Sequence, residues 1–284
     1  MPNVKLIDFF SDHFYKIDFE DGTHDFYPSV TTKLGAISKP FLSQWRGDIG
    51  NREADAQMIA SQERGTRIHY AWEIICQDGV CIYNPRHHPN YTPQEVNKLY
   101  ERYQNKVCIL ERQDEMWAIY KLQQFLLEVA PIMVASEKIV YSTKYKEAGT
   151  LDGVINIMAG SYKIAGGVPV NLPTGNFVTD IKSGNIVSDD AFLQLSAYTE
   201  YLEEMNLYQP IVGGLILHTS AKTKKGIEGF TTHYISREDM YKKFKIFRHV
   251  AEVWAYQNEN EKPKIFQFPS AITLDSHLVK VDTK

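Results

Sequence analysis

From residue 132 onward the chain becomes a succession of short, β-branched segments bounded by glycine, proline or asparagine, and such segments bury their side chains well only in a sheet. Segments 132–143, 149–159, 162–164 and 176–182 read as consecutive strands. A helix is expected over 189–204, where Phe192, Leu195, Ala197 and Leu202 can lie inward while polar residues alternate with them. Segment 211–219 reads as a buried strand, paired with 231–235 across a Lys/Gly-rich turn. Ser236-Arg237-Glu238-Asp239 resembles a capping box that opens a last helix through Tyr256. Strands, helix, strand pair and helix in this order imply an α/β fold with a central mixed β-sheet flanked by helices.

The part before residue 131 is mostly helical in pattern. Segments 13–20 and 24–27 read as a short hairpin around Asp21-Gly22. Tyr27-Pro28-Ser29-Val30-Thr31-Thr32 then starts a helix, with Ser29 as its cap. Residues 45–73 carry long helix-compatible runs, with a break expected near Arg64-Gly65-Thr66. Residues 82–91 are loop-like in composition, and 93–127 form a second, charge-rich helical block. The polar tail after Asn258 is expected to be poorly ordered. No internal repeat is present.

Bulk properties narrow the function classes. Of 284 residues, 43% are hydrophobic and 12% aromatic, enough for a sizeable core, so disorder is not the expectation. No stretch approaches the roughly eighteen uninterrupted apolar residues of a membrane span, and the N-terminal segment has no apolar h-region. The three cysteines, Cys76, Cys81 and Cys108, lack a disulfide-framework spacing and suit a reducing compartment, so a cytoplasmic, intracellular protein is expected. A net charge of −4 weighs mildly against a nucleic-acid partner but does not exclude a local basic groove. Lys222, Lys224 and Lys225 form one basic cluster, and Lys242, Lys243, Lys245 and Arg248 another; either alone is usually a solvated face.

The densest chemistry lies between Glu137 and Tyr201. Gly149-Thr150-Leu151-Asp152-Gly153-Val154 places an aspartate at the start of a strand, and Thr179-Asp180-Ile181-Lys182-Ser183-Gly184 follows. Strand alternation puts Asp180 and Lys182 on one face, and Asp152 joins them if the two strands are neighbours. Two carboxylates and the Ile181 carbonyl are hard oxygen ligands of the kind Mg²⁺ takes. A lysine beside them can orient or deprotonate an attacking water, or neutralise charge on a phosphate. A bare Asp-x-Lys arises about once by chance in a chain of this length, so its company matters. Gln194 and Tyr198 share a face of the next helix. Upstream stand Gly65-Thr66-Arg67-Ile68-His69, with Glu73 four residues on, and Glu137 opening a strand ahead of Asp152. Cys76, Cys81, His87 and His88 can be drawn as a zinc site, but their spacing matches no standard finger.

In order, Gly-x-x-x-His, Glu, Gly-Thr-x-Asp-Gly, Asp-x-Lys and Gln-x-x-x-Tyr resemble the PD-(D/E)XK nuclease superfamily, specifically its RecB-like branch, over roughly residues 28–220. The Gln-x-x-x-Tyr element is far more specific than Asp-x-Lys. Tyr27-Pro28-Ser29-Val30-Thr31-Thr32 also looks like phage exonucleases and the mitochondrial genome maintenance exonucleases. The resemblance implies a restriction-endonuclease-like core in a single nuclease domain over 1–284. Its helical arm would span 1–130, its catalytic sheet 131–257 and its tail 258–284. It implies that Asp152 and Asp180 are metal carboxylates, with Ile181 lending its carbonyl, His69 an additional ligand and Glu137 a less secure one. Lys182 would be the catalytic lysine. Gln194 and Tyr198 would orient it or contact the DNA, with Lys222 and Lys224 as further substrate contacts. Mg²⁺ or Mn²⁺ would be the cofactor. Some RecB-like relatives hold an iron–sulfur cluster with four cysteines, one upstream and three near the C-terminus. No cluster is expected here, since all three cysteines precede residue 109. The expected activity is exonucleolytic cleavage of DNA, single-stranded or with free ends, by a protein of phage-like style. A structure-specific endonuclease or a non-catalytic nucleic-acid-binding protein are the rivals. No Gly-x-x-x-x-Gly-Lys-Ser/Thr is present, so a motor would be a separate helicase or recombination protein. The block holding Tyr100, Arg102, Tyr103 and Lys106 is a candidate arch over a single strand.

Overall fold

The structure, a computed structural model, describes residues 2–9, 12–164, 168–222 and 228–259. Its centre is a five-stranded mixed sheet in the order β12-β11-β10-β7-β6. These strands are β6 (Ile132–Ser142), β7 (Glu147–Ile157), β10 (Gly175–Lys182), β11 (Ile211–Lys222) and β12 (Glu228–Ser236). Only β10 and β11 run parallel, and the helix α6 (Asp189–Glu204) makes the crossover that a parallel pair requires. The other neighbours in this sheet are antiparallel.

The two faces of the sheet carry separate cores. Val154, Val178 and Ile216 point to one face, where α1 (Val30–Leu34), α6 and α7 (Arg237–Gln257) cover them. Their chain neighbours Ile155, Phe177, Ile181, Leu215 and Leu217 point to the other, under α3 (Asn51–Cys76) and α5 (Gln113–Val129). Strands buried on both faces read as near-continuous apolar runs rather than alternations, as β11 does from Ile211 to Leu217. The architecture is therefore α/β, a central mixed sheet flanked by helices, seven among the described residues. None of these helices is long and apolar enough to cross a membrane.

Local chemistry sets the helix starts. Ser29 is extended and its Oγ accepts from the Thr32 N–H (2.9 Å), capping α1 as expected. Ser236 caps α7 by accepting from the Asp239 N–H (3.1 Å), and Asp189 and Asp190 sit favourably in the first turn of α6. Thr92 and Glu95 form a full capping box at α4 (Pro93–Arg102).

Several expectations need correction. α3 runs unbroken through Arg64-Gly65-Thr66. An interior glycine weakens a helix by roughly 1 kcal/mol but does not end it when the neighbouring turns bury Ile68, Ala71 and Trp72. The discontinuity falls instead at Gly50, between α2 (Pro40–Ile49) and α3, where φ is +85°. The block 93–127 is two helices, because Gln104 and Asn105 adopt left-handed backbone (φ +51° and +66°) and lead into β5 (Val107–Leu110). β5 pairs in parallel with β4 (Val80–Tyr83). The N-terminal hairpin is a three-stranded sheet: β1 (Asn3–Phe9) pairs with β2 (Asp12–Asp18), which pairs with β3 (His24–Pro28). β1 is an edge strand with Leu6 46% exposed, so no in-out alternation marked it. Beyond β7, a small two-stranded sheet joins β8 (Gly160–Tyr162) and β9 (Val170–Leu172). The tail from residue 260 lies outside the described residues.

Candidate metal centre

Asp152 lies within β7 rather than at its start, at a point where the sheet loses regular pairing on both sides. Pairing with β10 ends at Thr179↔Gly153, and pairing with β6 passes from Ser136↔Gly153 to Lys138↔Leu151. The residue skipped on β6 is Glu137, which sits mid-strand, not at a strand opening, and has φ +46°. A left-handed non-glycine residue costs on the order of 1–3 kcal/mol and persists where surrounding structure enforces it. In place of the backbone ladder, Asp152 Oδ2 accepts the Ile181 N–H at 2.6 Å.

The other carboxylate oxygen meets α3. His69 Nδ1 is 3.2 Å from Asp152 Oδ1, and its Nε2 is 3.1 Å from the Ile181 carbonyl. Both partners are acceptors, an arrangement that favours the protonated ring while no cation is held there. Asp152 beside it raises His69 to about 9, against the opposing effect of burial. Burial works against an ionised Asp152, but His69, Lys182 and the Ile181 N–H outweigh it and hold the carboxyl below its usual range. Burial, helped by Asp152, pushes Glu137 up to about 7. Its Oε1 is buried without a hydrogen-bond partner. His69, Glu137 and Asp152 each offer a ligand atom within 4.8 Å of the others. His69 and Glu137 line an open cleft of about 1000 Å³ together with His13, Gln62, Thr66, Tyr70 and Glu73, and Asp152 lies buried behind them.

Asp180 is not in that group of three. It faces Lys182, whose Nζ is 3.0 Å from Oδ1 and 2.9 Å from Oδ2. Only Oδ1 is met in hydrogen-bonding geometry, which leaves Oδ2 buried and unsatisfied. Burial lifts Asp180 to about 6 despite the ammonium beside it. Burial also works against the Lys182 charge, but Asp180 and Asp152 prevail and raise its pKa. Lys182 Nζ also donates to Gln194 Oε1 (3.2 Å), and Gln194 Nε2 donates to the Tyr198 hydroxyl (3.1 Å). The Tyr198 ring lies directly against Gly149: a Cβ there would fall 2.8 Å from its Cζ and hydroxyl. A Cβ on Gly153 would likewise fall 2.8 Å from Thr179 Oγ1. Both glycines of the Gly-Thr-Leu-Asp-Gly segment thus answer to close packing around the site.

No family model matches the chain, and no curated protein matches it.

The fold brings His69, Glu137, Asp152, Asp180, Ile181, Lys182, Gln194 and Tyr198 into one neighbourhood around the C-terminal end of β10. Other candidates stand apart. Lys222 ends β11, but its side chain and all of Lys224 lie outside the described residues. Most of the second basic cluster is neutralised: Lys242 by Glu238 and Asp239, Lys243 by Asp189, Arg248 by Glu147. Among the described residues Cys76, Cys81, His87 and His88 form no metal-ligand group; Cys81 Sγ donates instead to the Ala71 carbonyl (3.4 Å). In the arch segment, Lys106 donates to the Gln77 carbonyl and Arg102 lies 5.5 Å from the Tyr103 ring. Glu73 accepts from Gln77 Nε2.

Two features escaped the sequence reading. Tyr70, 50% exposed on the cleft wall, follows His69 directly, so an exposed aromatic beside the Gly-x-x-x-His element was an available signal. Arg64 donates to Asp114 (2.7 Å) and to the Ser183 carbonyl (2.5 Å), clamping the turn after Lys182 to α3. No sequence spacing pointed to that clamp.

Proposed function

We propose that the chain is a divalent-cation-dependent nuclease of the PD-(D/E)XK, RecB-like kind that hydrolyses DNA phosphodiester bonds from strand ends. The observation that carries this reading is the convergence of His69, Glu137 and Asp152 within 4.8 Å beside the Asp180–Lys182–Gln194–Tyr198 chain. The donor set fits a hard cation: one imidazole, two carboxylates and the Ile181 carbonyl, with Glu137 Oε1 buried and unpartnered. His69, Glu137, Asp152 and the Ile181 carbonyl would hold Mg²⁺ or Mn²⁺. When bound, the cation supplies Lewis-acid polarisation of a phosphoryl oxygen.

The chain's own residues do the rest. Lys182 projects an ammonium that neutralises charge growing on the phosphate. Asp180 and Gln194 fix its position, and Tyr198, locked against Gly149, fixes Gln194. The cleft beside His69 admits an extended strand, and Tyr70 gives it an aromatic face on which a base can stack.

The test is digestion of end-labelled linear single-stranded DNA with Mg²⁺ or Mn²⁺, alongside a closed single-stranded circle and the Lys182→Ala protein. Shortening of the linear strand, survival of the circle and an inactive variant are expected, and the label gives the polarity. Cutting of the circle would move the reading to an endonuclease. Binding without cutting under either metal would replace it with a nucleic-acid-binding role.

A further inference from the structure

A second cleft, of about 900 Å³, is lined by Arg67, Arg86, Arg112, His87, His88 and Tyr83, with Glu111 and Glu115 also on its wall. α3 separates it from the metal-centre cleft: Thr66, His69 and Tyr70 line one side, and Arg67 lines the other. A helix with its side chains is roughly 10–12 Å across, so the two clefts are close neighbours.

We infer that this second cleft is a binding track for the sugar–phosphate backbone of a single nucleic-acid strand, continuous in use with the cutting site. The inference rests on the nuclease reading above for the identity of its ligand.

Three observations carry it. First, the loop that displays Arg86-His87-His88 is held in place by its own hydrogen bonds. Asn84 N donates to the Leu110 carbonyl (2.8 Å), Tyr91 N to Asn84 Oδ1 (2.9 Å), Asn84 Nδ2 to the Tyr91 carbonyl (3.3 Å) and Asn90 Nδ2 to the Tyr83 carbonyl (2.8 Å). A loop fixed in this way presents its cations at a defined place, so little ordering entropy remains to be lost on binding.

Second, the facing wall is built to aim arginines. Glu115 has no exposed surface, and its Oε1 is 2.7 Å from Arg67 Nη2 and 3.7 Å from Arg112 Nε. The buried carboxylate anchors both side chains at the cleft rim. Arg112 is also the N-cap residue of α5, a 17-residue helix whose first amides receive no side-chain cap from it. Helix N-termini favour anions.

Third, the present partners of Arg86 and Arg112 are weak competitors. Arg86 is 78% exposed and pairs with the exposed Glu111 at 2.7 Å, and Arg112 is 58% exposed and pairs with Asp114 at 3.0 Å. Exposed pairs of this kind contribute little to stability, so a phosphate can replace the present partner at small cost. Tyr83 and Ile109 add an aromatic and apolar floor for bases.

The experiment is fluorescence anisotropy of a labelled single strand of about 30 nucleotides, long enough to cover both clefts, with EDTA present so that nothing is cut. Wild type is compared with Arg86→Ala/Arg112→Ala and Arg86→Lys/Arg112→Lys. Each lost phosphate contact on a single strand flattens the salt slope by about 0.7, so the alanine pair flattens it by about 1.4. Between about 50 and 200 mM salt the wild-type affinity therefore falls about sevenfold more than that of the alanine variant. The lysine pair keeps the charge and restores the slope. Both arginines are largely solvent-exposed, so equal melting temperatures are expected and verify folding. An unchanged slope in the alanine variant, with wild type still binding and cutting, overturns the second cleft and leaves the nuclease reading standing. A flattened slope with no cutting by wild type sinks the nuclease reading and keeps the cleft. Absence of single-strand binding by wild type overturns both.

Discussion

Glu147→Gln removes one charge from a buried ionic cluster while keeping the side chain's shape. Glu147 begins β7 with no exposed surface; its Oε1 lies 2.6 Å from Lys33 Nζ on α1 and 2.6 Å from Arg248 Nη1 on α7. The Tyr201 hydroxyl on α6 donates to its Oε2. Lys33 is only 7% exposed and Arg248 22%. Burial already lowers the Lys33 pKa although Glu147 acts to raise it, so Lys33 depends on this carboxylate to stay charged. Leaving a buried partner uncompensated destabilises by about 3–5 kcal/mol. With an unfolding entropy of about 2.1 cal/mol/K per residue over 284 residues, the melting temperature should fall by roughly 5–8 °C. Thermal and urea denaturation of Glu147→Gln, Lys33→Met and the double variant measure this. The double variant should be less destabilised than the sum of the singles by at least about 1 kcal/mol, since the unpaired lysine has gone. A loss below about 1 kcal/mol for Glu147→Gln, or strict additivity, would show that the cluster is solvated enough for its charges not to need one another.

Four further outcomes are expected. Gly149→Ala drives a Cβ into the buried Tyr198 ring, costing about 1–3 kcal/mol in stability; nuclease turnover should fall with it, and unaltered turnover would show that the Tyr198–Gln194 chain does not position Lys182. Tyr70→Ala should weaken single-strand binding by about 1–3 kcal/mol while Tyr70→Phe retains it; equal affinities would remove the stacking role. Glu204 accepts from Ser142 Oγ, Thr143 N and Thr143 Oγ1, and these bonds outweigh burial to hold its carboxyl below 4.5. A depressed folded pKa gives stability present above the unfolded pKa and lost as pH falls through the folded one. The melting-temperature advantage of wild type over Glu204→Gln should therefore be constant near neutral pH and shrink in acid, and a pH-independent difference would contradict it. Asp152→Asn keeps an acceptor for the Ile181 N–H but takes the counter-charge from His69, so it should melt below wild type and also lose the thermal shift of about 4–5 °C expected from Mn²⁺ at a hundredfold excess over Kd; an equal shift in the variant would remove Asp152 from the ligand set.

The sequence made the half of the fold that holds the central sheet legible because its periodicities were strong and its punctuation local. Strand alternation placed Asp180 and Lys182 on one face, and helical spacing placed Gln194 and Tyr198 on one face; both pairs are in contact. The failures share one cause, a short or two-faced element whose conformation is decided at a distance. β5 has four residues, fewer than any period can reveal, and exists because β4 lies beside it. Gly65 looked like a breaker because propensity is local, whereas the burial of Trp72 and Ile68 that overrides it is not. The Glu147 cluster joins residues 33, 147, 201 and 248, which no spacing rule connects.

Asp152 shows why the site sits where it does. A residue inside a sheet normally spends its backbone on both neighbours and leaves its side chain to the core. Here β7 is unpaired at Asp152 on both sides, and the side chain takes over both connections: Oδ2 binds β10 through Ile181 N, and Oδ1 binds α3 through His69. The backbone freed on the β6 side lets Glu137 turn left-handed, so its carboxylate reaches the same point instead of following the alternation of its strand. One interruption of the ladder therefore gathers a helix residue and two strand residues that regular sheet geometry would have kept apart. It also leaves Glu137 Oε1 buried with no hydrogen-bond partner, while Asp180 Oδ2, likewise buried, has the Lys182 ammonium 2.9 Å away. Buried acceptors of this kind are costly unless something electropositive meets them. The Lys182 ammonium meets that demand at Asp180 Oδ2, and at Glu137 Oε1 the proposed divalent cation would meet it.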